Sequence, residues 1–266
     1  MRLRFVYASF RYLRASWYFV GKFSSWDDAV QWSTGYQDEK ILGKVLEATK
    51  KVRSGEVAFE RDSVTFNEIQ YSWPVLSALM WAAAANRGCL KVLDFGGALG
   101  SSYYQNIKFF SELSSLKWNV VEQEHYVDCG NSFADPSLKF YKSIKGCLSQ
   151  GAVDVALFSG VLDVIDDPYI YLKQIVDEGI KAVIIDRSAF LSEPYDLGVD
   201  EFVVQVVKPP IYGATLPFRH LSCIKLKQFL AGAGYTVVES FDSIGGRGDG
   251  WVFRGLIAKK NIEGRY

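Results

Sequence analysis

The sequence predicts an α/β fold in which a seven-stranded sheet carries helices on both faces, preceded by a helical N-terminal extension. Short apolar runs typical of buried strands recur after residue 89, and stretches with helical periodicity separate them. Glycines and prolines mark the boundaries between these segments. The chain has 266 residues, of which 49% are hydrophobic, so it can bury a full core.

The predicted strands follow one another with a helix between most neighbouring pairs. An alternation of this kind favours a mainly parallel sheet. The predicted strands are 91–95, 117–122, 139–144, 155–158, 181–186, 235–240 and 251–259.

A glycine turn follows the first of these strands. Asp94 lies near the end of the strand, and Gly96, Gly97 and Gly100 permit a turn that side chains would block. Ligands of open α/β sheets bind at this end of the strands, so the turn predicts a nucleotide site. Its spacing does not fit the dinucleotide pattern G-x-G-x-x-G, and no Lys follows Gly100 as a P-loop requires. A tight turn without a ligand is the alternative.

A carboxylate stands at the end of the next predicted strand, at Glu122. A carboxylate in this place can accept hydrogen bonds from both hydroxyls of a ribose. Dinucleotide-binding folds use an acidic residue at a similar position, so Glu122 indicates a nucleoside without selecting which one. Taken alone, Glu122 would be a solvated strand end.

Two segments resemble class I methyltransferases that use S-adenosylmethionine (SAM). The glycine turn is similar to their motif I, roughly D-x-G-x-G-x-G, with Ala98 in place of the middle glycine. The segment 153–168 is similar to their fourth-strand segment, with Val164 where many of them carry a His. The resemblance implies a seven-stranded sheet with an antiparallel final strand. It also implies SAM as cofactor, with contacts from Asp94, Phe95, Gly96, Gly97, Gly100, Ser101, Glu122, Gln123 and Ser159.

The chain further resembles a bacterial family of methyltransferases linked with lipopolysaccharide or other surface-polysaccharide biosynthesis. The resemblance covers about residues 26–258 and is carried by the segments 59–64, 73–74, 93–106, 121–123 and 185–187. It implies O-methylation of a sugar or a related small molecule. The charged triplet at residues 60–62, in a predicted loop between two helices, belongs to this resemblance, although surface charge is the usual interpretation of such a triplet.

We expect three regions along the chain. Residues 1–88 form a basic, aromatic segment followed by a helical cap, and residues 89–266 form the SAM-binding core. Within that core, 187–220 lies beyond the fifth strand and is expected to line the acceptor pocket. Helices are predicted to begin after Ser25, Asp38 and Ser72.

Charge and cysteine content limit the partners. The chain carries 30 basic and 30 acidic residues, and a balanced charge argues against a nucleic-acid partner. The four cysteines are scattered, as is typical of a reduced, cytoplasmic protein, and no metal site is predicted. Residues 1–22 are basic and aromatic, which favours either peripheral contact with the inner face of the membrane or a helix or tail at the core. The oligomeric state is not predicted.

Catalytic residues are the least determined part of the prediction. His220 has the ordinary pKa of a general base, Asp163 takes the acidic position of the fourth-strand segment, and Arg187 follows the fifth strand. Two other functions stay open. One is a methyltransferase-like protein that binds a nucleoside or a partner without catalysis. The other is an NAD-type nucleotide-sugar oxidoreductase, disfavoured by the glycine spacing.

Overall fold

The computed structural model describes residues 17–35, 39–208, 211 and 213–261. The strands are β1 (Trp17–Phe23), β2 (Phe59–Arg61), β3 (Val64–Phe66), β4 (Cys89–Phe95), β5 (Ser115–Val121), β6 (Leu138–Tyr141), β7 (Val155–Ser159), β8 (Ala182–Leu191), β9 (Glu201–Val207), β10 (Ala214–His220), β11 (Tyr235–Arg247) and β12 (Trp251–Lys260). The α-helices are α1 (Trp26–Gln31), α2 (Glu39–Ser54), α3 (Trp73–Ala85), α4 (Ser101–Asn106), α5 (Glu124–Gly130), α6 (Ile144–Leu148), α7 (Pro168–Asp177) and α8 (Cys223–Gly232). Short 3-10 helices span Ile107–Phe109 and Asn131–Phe133.

The main sheet has seven strands in the spatial order β11-β12-β8-β7-β4-β5-β6. Strands β8, β7, β4, β5 and β6 run parallel, and β12 is antiparallel to both of its neighbours. The predicted seven-stranded sheet with an antiparallel final strand is thus confirmed. Strand β8 continues past the predicted end at Asp186, because β12 pairs with it as far as Leu191. Arg187 consequently lies within this strand.

Each face of the main sheet is covered by its own apolar cluster. Val92 belongs to the cluster that contains Leu79 of α3, whereas Leu93 belongs to the one that contains Leu172 of α7 and Leu226 of α8. Because neighbouring residues of a strand face opposite sides, the continuous apolar run of β4 supplies both clusters. The predicted arrangement of helices on both faces is confirmed.

The N-terminal extension contains the three predicted helices and an unpredicted hairpin. The Ser25 side chain accepts a hydrogen bond from the Asp28 amide and caps α1, as predicted, while the predicted cap at Asp38 lies outside the described residues. Strands β2 and β3 occupy a stretch that was predicted to be a loop between helices. Asp62 and Ser63 both have positive φ angles, which suits the two-residue turn of a tight hairpin. We call residues 59–66 the charged hairpin.

A second sheet of three strands, in the order β1-β9-β10, packs beside the main sheet. Residues 17–23 form its first strand, which differs from the helix or tail expected there. The aromatic rings of Trp17 and Phe19 contact Trp251, so pairing with β9 buries the aromatic face of this strand. Residues 1–16, on which most of the predicted membrane segment falls, lie outside the described residues. The three-region division of the chain stays a prediction.

Candidate functional site

The glycine turn connects β4 to α4 at the carboxyl end of the parallel strands. Gly96 has a φ of +70°, and a Cβ atom placed on it would lie 2.4 Å from Cγ2 of Val161. Ala98 has a φ of +51° and Gly100 one of +96°. An L-residue in the left-handed region costs about 1–2 kcal/mol, so Ala98 is strained at the position where the methyltransferase motif has glycine.

Asp94 lies beneath this turn. Its side chain is buried, and Oδ2 accepts a hydrogen bond of 2.9 Å from Nε1 of Trp118. A Cβ atom on Gly97 would lie 2.5 Å from the Asp94 carboxyl carbon, so that glycine permits the close approach of turn and carboxylate. Burial raises the pKa of Asp94 to about 7, although the hydrogen bond from Trp118 acts against the rise. The Asp94 side chain is therefore packed directly against the glycine turn at Gly97.

Glu122 brings the end of β5 against the glycine turn. Its Oε1 accepts a hydrogen bond of 3.3 Å from the Ala98 amide, and its Oε2 accepts one of 2.7 Å from the Gln123 amide. Burial raises the pKa of Glu122 to about 7, against the effect of these two bonds. A carboxylate can accept about four hydrogen bonds, so acceptor capacity is left for a ligand hydroxyl. Gln123 is exposed beside it.

Polar side chains continue along the strand ends on the other side of the turn. Ser159, at the end of β7, donates a hydrogen bond of 3.4 Å to Oδ2 of Asp186, and Ser243 donates one of 2.6 Å to Oδ1. Asp186 is thereby held between two serine hydroxyls. Phe95 is directed toward the α7 side, where its ring lies 4.6 Å from the ring of Tyr171.

The charged hairpin closes over this edge. Asp62 forms a bidentate ion pair with Arg187, with N–O distances of 3.0 and 3.3 Å. The guanidinium lies over Gly160, where a Cβ atom would be 2.6 Å from Nη2 of Arg187. Glu60 is 3% exposed and accepts a hydrogen bond from Ser101, the first residue of α4. The hairpin therefore contacts both Ser101, which was predicted to bind the cofactor, and Arg187, which was predicted to be catalytic. Sequence reasoning identified the triplet at 60–62 but not the fold that directs it here.

The structure places Asp163 in the interior. Its side chain is 1% exposed, and both carboxylate oxygens lie within 3.2 Å of the Ala189 amide nitrogen. Its backbone carbonyl accepts a hydrogen bond of 2.8 Å from the Arg219 amide. Burial raises the pKa of Asp163 well above its ordinary value. These contacts tie the segment after β7 to β8 and β10.

His220 lies in an aromatic cluster between the two sheets. Its ring stacks on Trp251 with a centroid distance of 5.6 Å and meets the edge of Phe19 at 4.8 Å. The side chain is buried; Nε2 has no hydrogen-bond partner, and Nδ1 has only a long contact of 3.5 Å to Oε1 of Glu201. Burial lowers the pKa of His220 to about 4, with Glu201 acting in the opposite direction. Within the described residues, no contact joins His220 to the side chains of Asp163 or Arg187, so the three catalytic predictions do not form one cluster.

The remaining features of the described residues concern metal ligands and membrane-spanning helices. Among residues 17–35, 39–208, 211 and 213–261, no group of three or more His, Cys, Asp or Glu side chains could hold a metal ion. In the same part of the chain, no helix has the length and apolar character that crossing a bilayer requires.

The order and directions of the seven strands, together with the glycine turn after β4, define a class I methyltransferase, or Rossmann-like, fold. No protein-family model matches the sequence, and no curated protein is similar to it in sequence.

Several solved methyltransferase structures are similar to this chain. Magnesium protoporphyrin IX methyltransferase from Synechocystis, with bound SAM, is 13% identical and has a TM-score of 0.45, over 85% of this chain and 99% of that one. The CcbJ methyltransferase from Streptomyces caelestis is 13% identical with a TM-score of 0.44, over 70% and 90%. A SAM-dependent methyltransferase from Clostridium acetobutylicum is 12% identical with a TM-score of 0.43, again over 70% and 90%.

Proposed function

We propose that this protein is a SAM-dependent methyltransferase. The observation that carries the proposal is the contact between Glu122 and the Ala98 amide, which places a partly buried carboxylate against the glycine turn. A ribose seated there would donate hydroxyl hydrogen bonds to Glu122, while the lack of a side chain at Gly96 lets the turn pack closely against Val161. The turn lacks the spacing of a dinucleotide site and the lysine of a P-loop, which favours SAM over NAD or a nucleoside triphosphate.

The residues present fit this cofactor. SAM supplies an electrophilic methyl group on a sulfonium, and its transfer is an in-line displacement. The protein then has to align donor and acceptor and exclude water. Glu122 and Gln123 would hold the nucleoside, and the backbone of the glycine turn and Ser101 would hold the rest of the cofactor. The charged hairpin would cover the reacting end, because it reaches from Ser101 to Arg187 across the strand ends.

We propose a hydroxyl group of a sugar or a related small molecule as the acceptor, in surface-polysaccharide biosynthesis. The resemblance to the polysaccharide-linked family supports this proposal, and so does the polar edge formed by Ser159, Asp186 and Arg187. Such an edge offers both donors and acceptors to a polyhydroxylated ligand. If the acceptor is lipid-linked, residues 1–22 would bring the protein to the inner face of the membrane. Loss of vesicle binding on deletion of residues 1–16, which keeps β1, would support that part, and unchanged binding would contradict it.

A non-catalytic nucleoside-binding protein is the second candidate. The specific observations in its favour are the strained Ala98 and the buried His220, whose lowered pKa and aromatic surroundings do not suit a general base. Cofactor binding does not separate the two candidates, because both would bind SAM. Methyl transfer from labelled SAM to a panel of glycan acceptors separates them.

The first test is calorimetric titration of the whole protein with S-adenosylhomocysteine (SAH) and, in parallel, with NAD. We expect micromolar binding of SAH and none of NAD. The variant Glu122→Ala should bind SAH about tenfold or more weakly, which is the loss of one hydrogen bond to a charged group. Exposed Glu124, two residues further on, gives the matched control Glu124→Ala, which should bind as the wild type does. Binding of NAD alone, or equal SAH affinity in both variants, would contradict the proposed site.

A further inference from the structure

Glu60 is a buried carboxylate with no direct ion-pair partner among the described residues. The residue is 3% exposed; Arg61 and Arg187 interact with it only at longer range, whereas Asp62, two residues on, pairs directly with Arg187. Its hydrogen-bond donors are the Ser101 hydroxyl and the Ser63 amide. Removing a carboxylate from water without an opposite charge is unfavourable, so a buried acid of this kind favours a cation as its neighbour.

The position of Glu60 indicates where that cation would come from. In the main sheet, β5, β4, β7 and β8 lie side by side in that order. Glu122 follows β5, the glycine turn follows β4, and Arg187 lies on β8. The charged hairpin contacts Ser101 and Arg187, on the side of the turn away from Glu122. A nucleoside whose ribose contacts Glu122 would therefore extend its 5′ substituent along the turn toward Glu60.

We propose that Glu60 binds the α-ammonium group of the cofactor's amino-acid chain, which makes the charged hairpin the subsite that distinguishes SAM and SAH from nucleosides without that chain. This inference rests on the proposed function. An ammonium group has three donors and needs acceptors, and a carboxylate whose neighbours are hydroxyl and amide donors is suited to it.

The test compares two ligands that share the nucleoside. SAH carries the amino-acid chain, whereas 5′-methylthioadenosine carries the same adenosine and sulfur without it. We expect Glu60→Gln to weaken SAH about tenfold to a hundredfold, which is the loss of one charge-assisted hydrogen bond, and to change methylthioadenosine affinity less than twofold. Glu68→Gln, an exposed acid two residues beyond the hairpin, is the matched control and should change neither affinity.

A second measurement needs no variant. Burial raises the pKa of Glu60 to about 6, with Asp62 adding to the rise and Arg187 and the two hydrogen bonds opposing it. An ammonium that binds the ionised form would displace a proton at pH 5.5. In buffers of different ionisation enthalpy, SAH should then release more protons than methylthioadenosine. Glu122 titrates too, but its ribose contact is common to both ligands, so its contribution cancels in the difference.

The outcomes are distinct. If Glu60→Gln weakens both ligands equally or neither, or if the two ligands release equal numbers of protons, the inference is wrong while the methyltransferase proposal stands. If wild-type protein binds neither ligand, the proposed function fails and the inference fails with it. Thermal unfolding of each variant shows whether it is folded, and Glu60→Asp, which keeps the charge, should recover part of the SAH affinity if the hairpin tolerates it.

Discussion

The raised pKa of Glu122 predicts that nucleoside binding depends on pH. Burial raises its pKa to about 7, so close to neutral pH half of the free protein carries it protonated. A ribose hydroxyl donates its hydrogen bond to the ionised form, and binding should therefore follow the ionised fraction. That fraction is about one tenth at pH 6 and about nine tenths at pH 8, which predicts a roughly tenfold rise in affinity across the interval.

The ligand for this measurement is 5′-methylthioadenosine, because it leaves Glu60 out of the equilibrium. Calorimetric titrations at half-unit steps from pH 6 to pH 8 should give the tenfold rise for wild type and a flat profile for Glu122→Gln, whose amide does not ionise. At pH 8 the variant should bind about tenfold more weakly. A flat wild-type profile, or the same slope in both proteins, would refute the assignment of the ribose to Glu122.

The same group predicts a change in stability with a definite sign. Because the folded-state pKa of Glu122 is raised above its ordinary value of 4.5, ionisation opposes folding. The stability that the protonated form provides is complete below about pH 4.5 and is lost as the pH rises to about 7. Urea unfolding should therefore show Glu122→Gln gaining stability relative to wild type between those limits. A constant difference would contradict the buried setting of this carboxyl.

Three further predictions concern the turn, the aromatic cluster and the hairpin. Gly96→Ala should lower the melting temperature and abolish SAH binding, because its Cβ would lie 2.4 Å from Val161 at a positive φ. Adding Val161→Ala should restore only part of the stability. Full recovery would show that the backbone angle is not strained. His220→Phe should keep SAH affinity and leave the melting temperature nearly unchanged, because the buried ring makes mainly aromatic contacts and its only polar neighbour among the described residues is Glu201, 3.5 Å from Nδ1. A fall of several degrees would mean that the contact with Glu201 stabilises the fold. Asp62→Asn should change global stability by at most about 1 kcal/mol, because the ion pair with Arg187 is partly exposed. The same variant should speed amide hydrogen exchange at residues 59–66. Unchanged exchange there would show that the ion pair does not hold the hairpin in place.

The main sheet could be predicted because each of its strands leaves a local signal. A buried parallel strand is a short, continuous apolar run, and Val155–Phe158 is one that β7 matches closely. The ends of strands depend instead on the neighbour. Strand β8 extends to Leu191 because β12 pairs with it, and nothing within residues 181–191 reveals that partner. Strand β1 was missed for the same reason, since its pairing partner β9 lies almost two hundred residues away in the chain.

The site was predictable in proportion to how local its geometry is. The glycine turn consists of five consecutive residues, so its position could be predicted from the sequence alone. His220 could not be assessed in this way, because a histidine's availability depends on what packs around it. Its pKa falls to about 4 under the aromatic rings of Phe19 and Trp251, which come from opposite ends of the chain.

Glu60 shows the converse case. In the sequence it belongs to a charged triplet of the kind that normally faces solvent, and its neighbour Asp62 is indeed 63% exposed at the side chain. Residues two apart in a regular strand face the same side, but the chain turns at Asp62 and Ser63, so Glu60 and Asp62 are directed differently. Glu60 contacts Ser101 and Asp62 contacts Arg187, so two carboxylates two residues apart have different surroundings. Asp62 has its ion-pair partner in the protein, whereas Glu60 is the carboxylate to which we assign the ammonium group of the ligand.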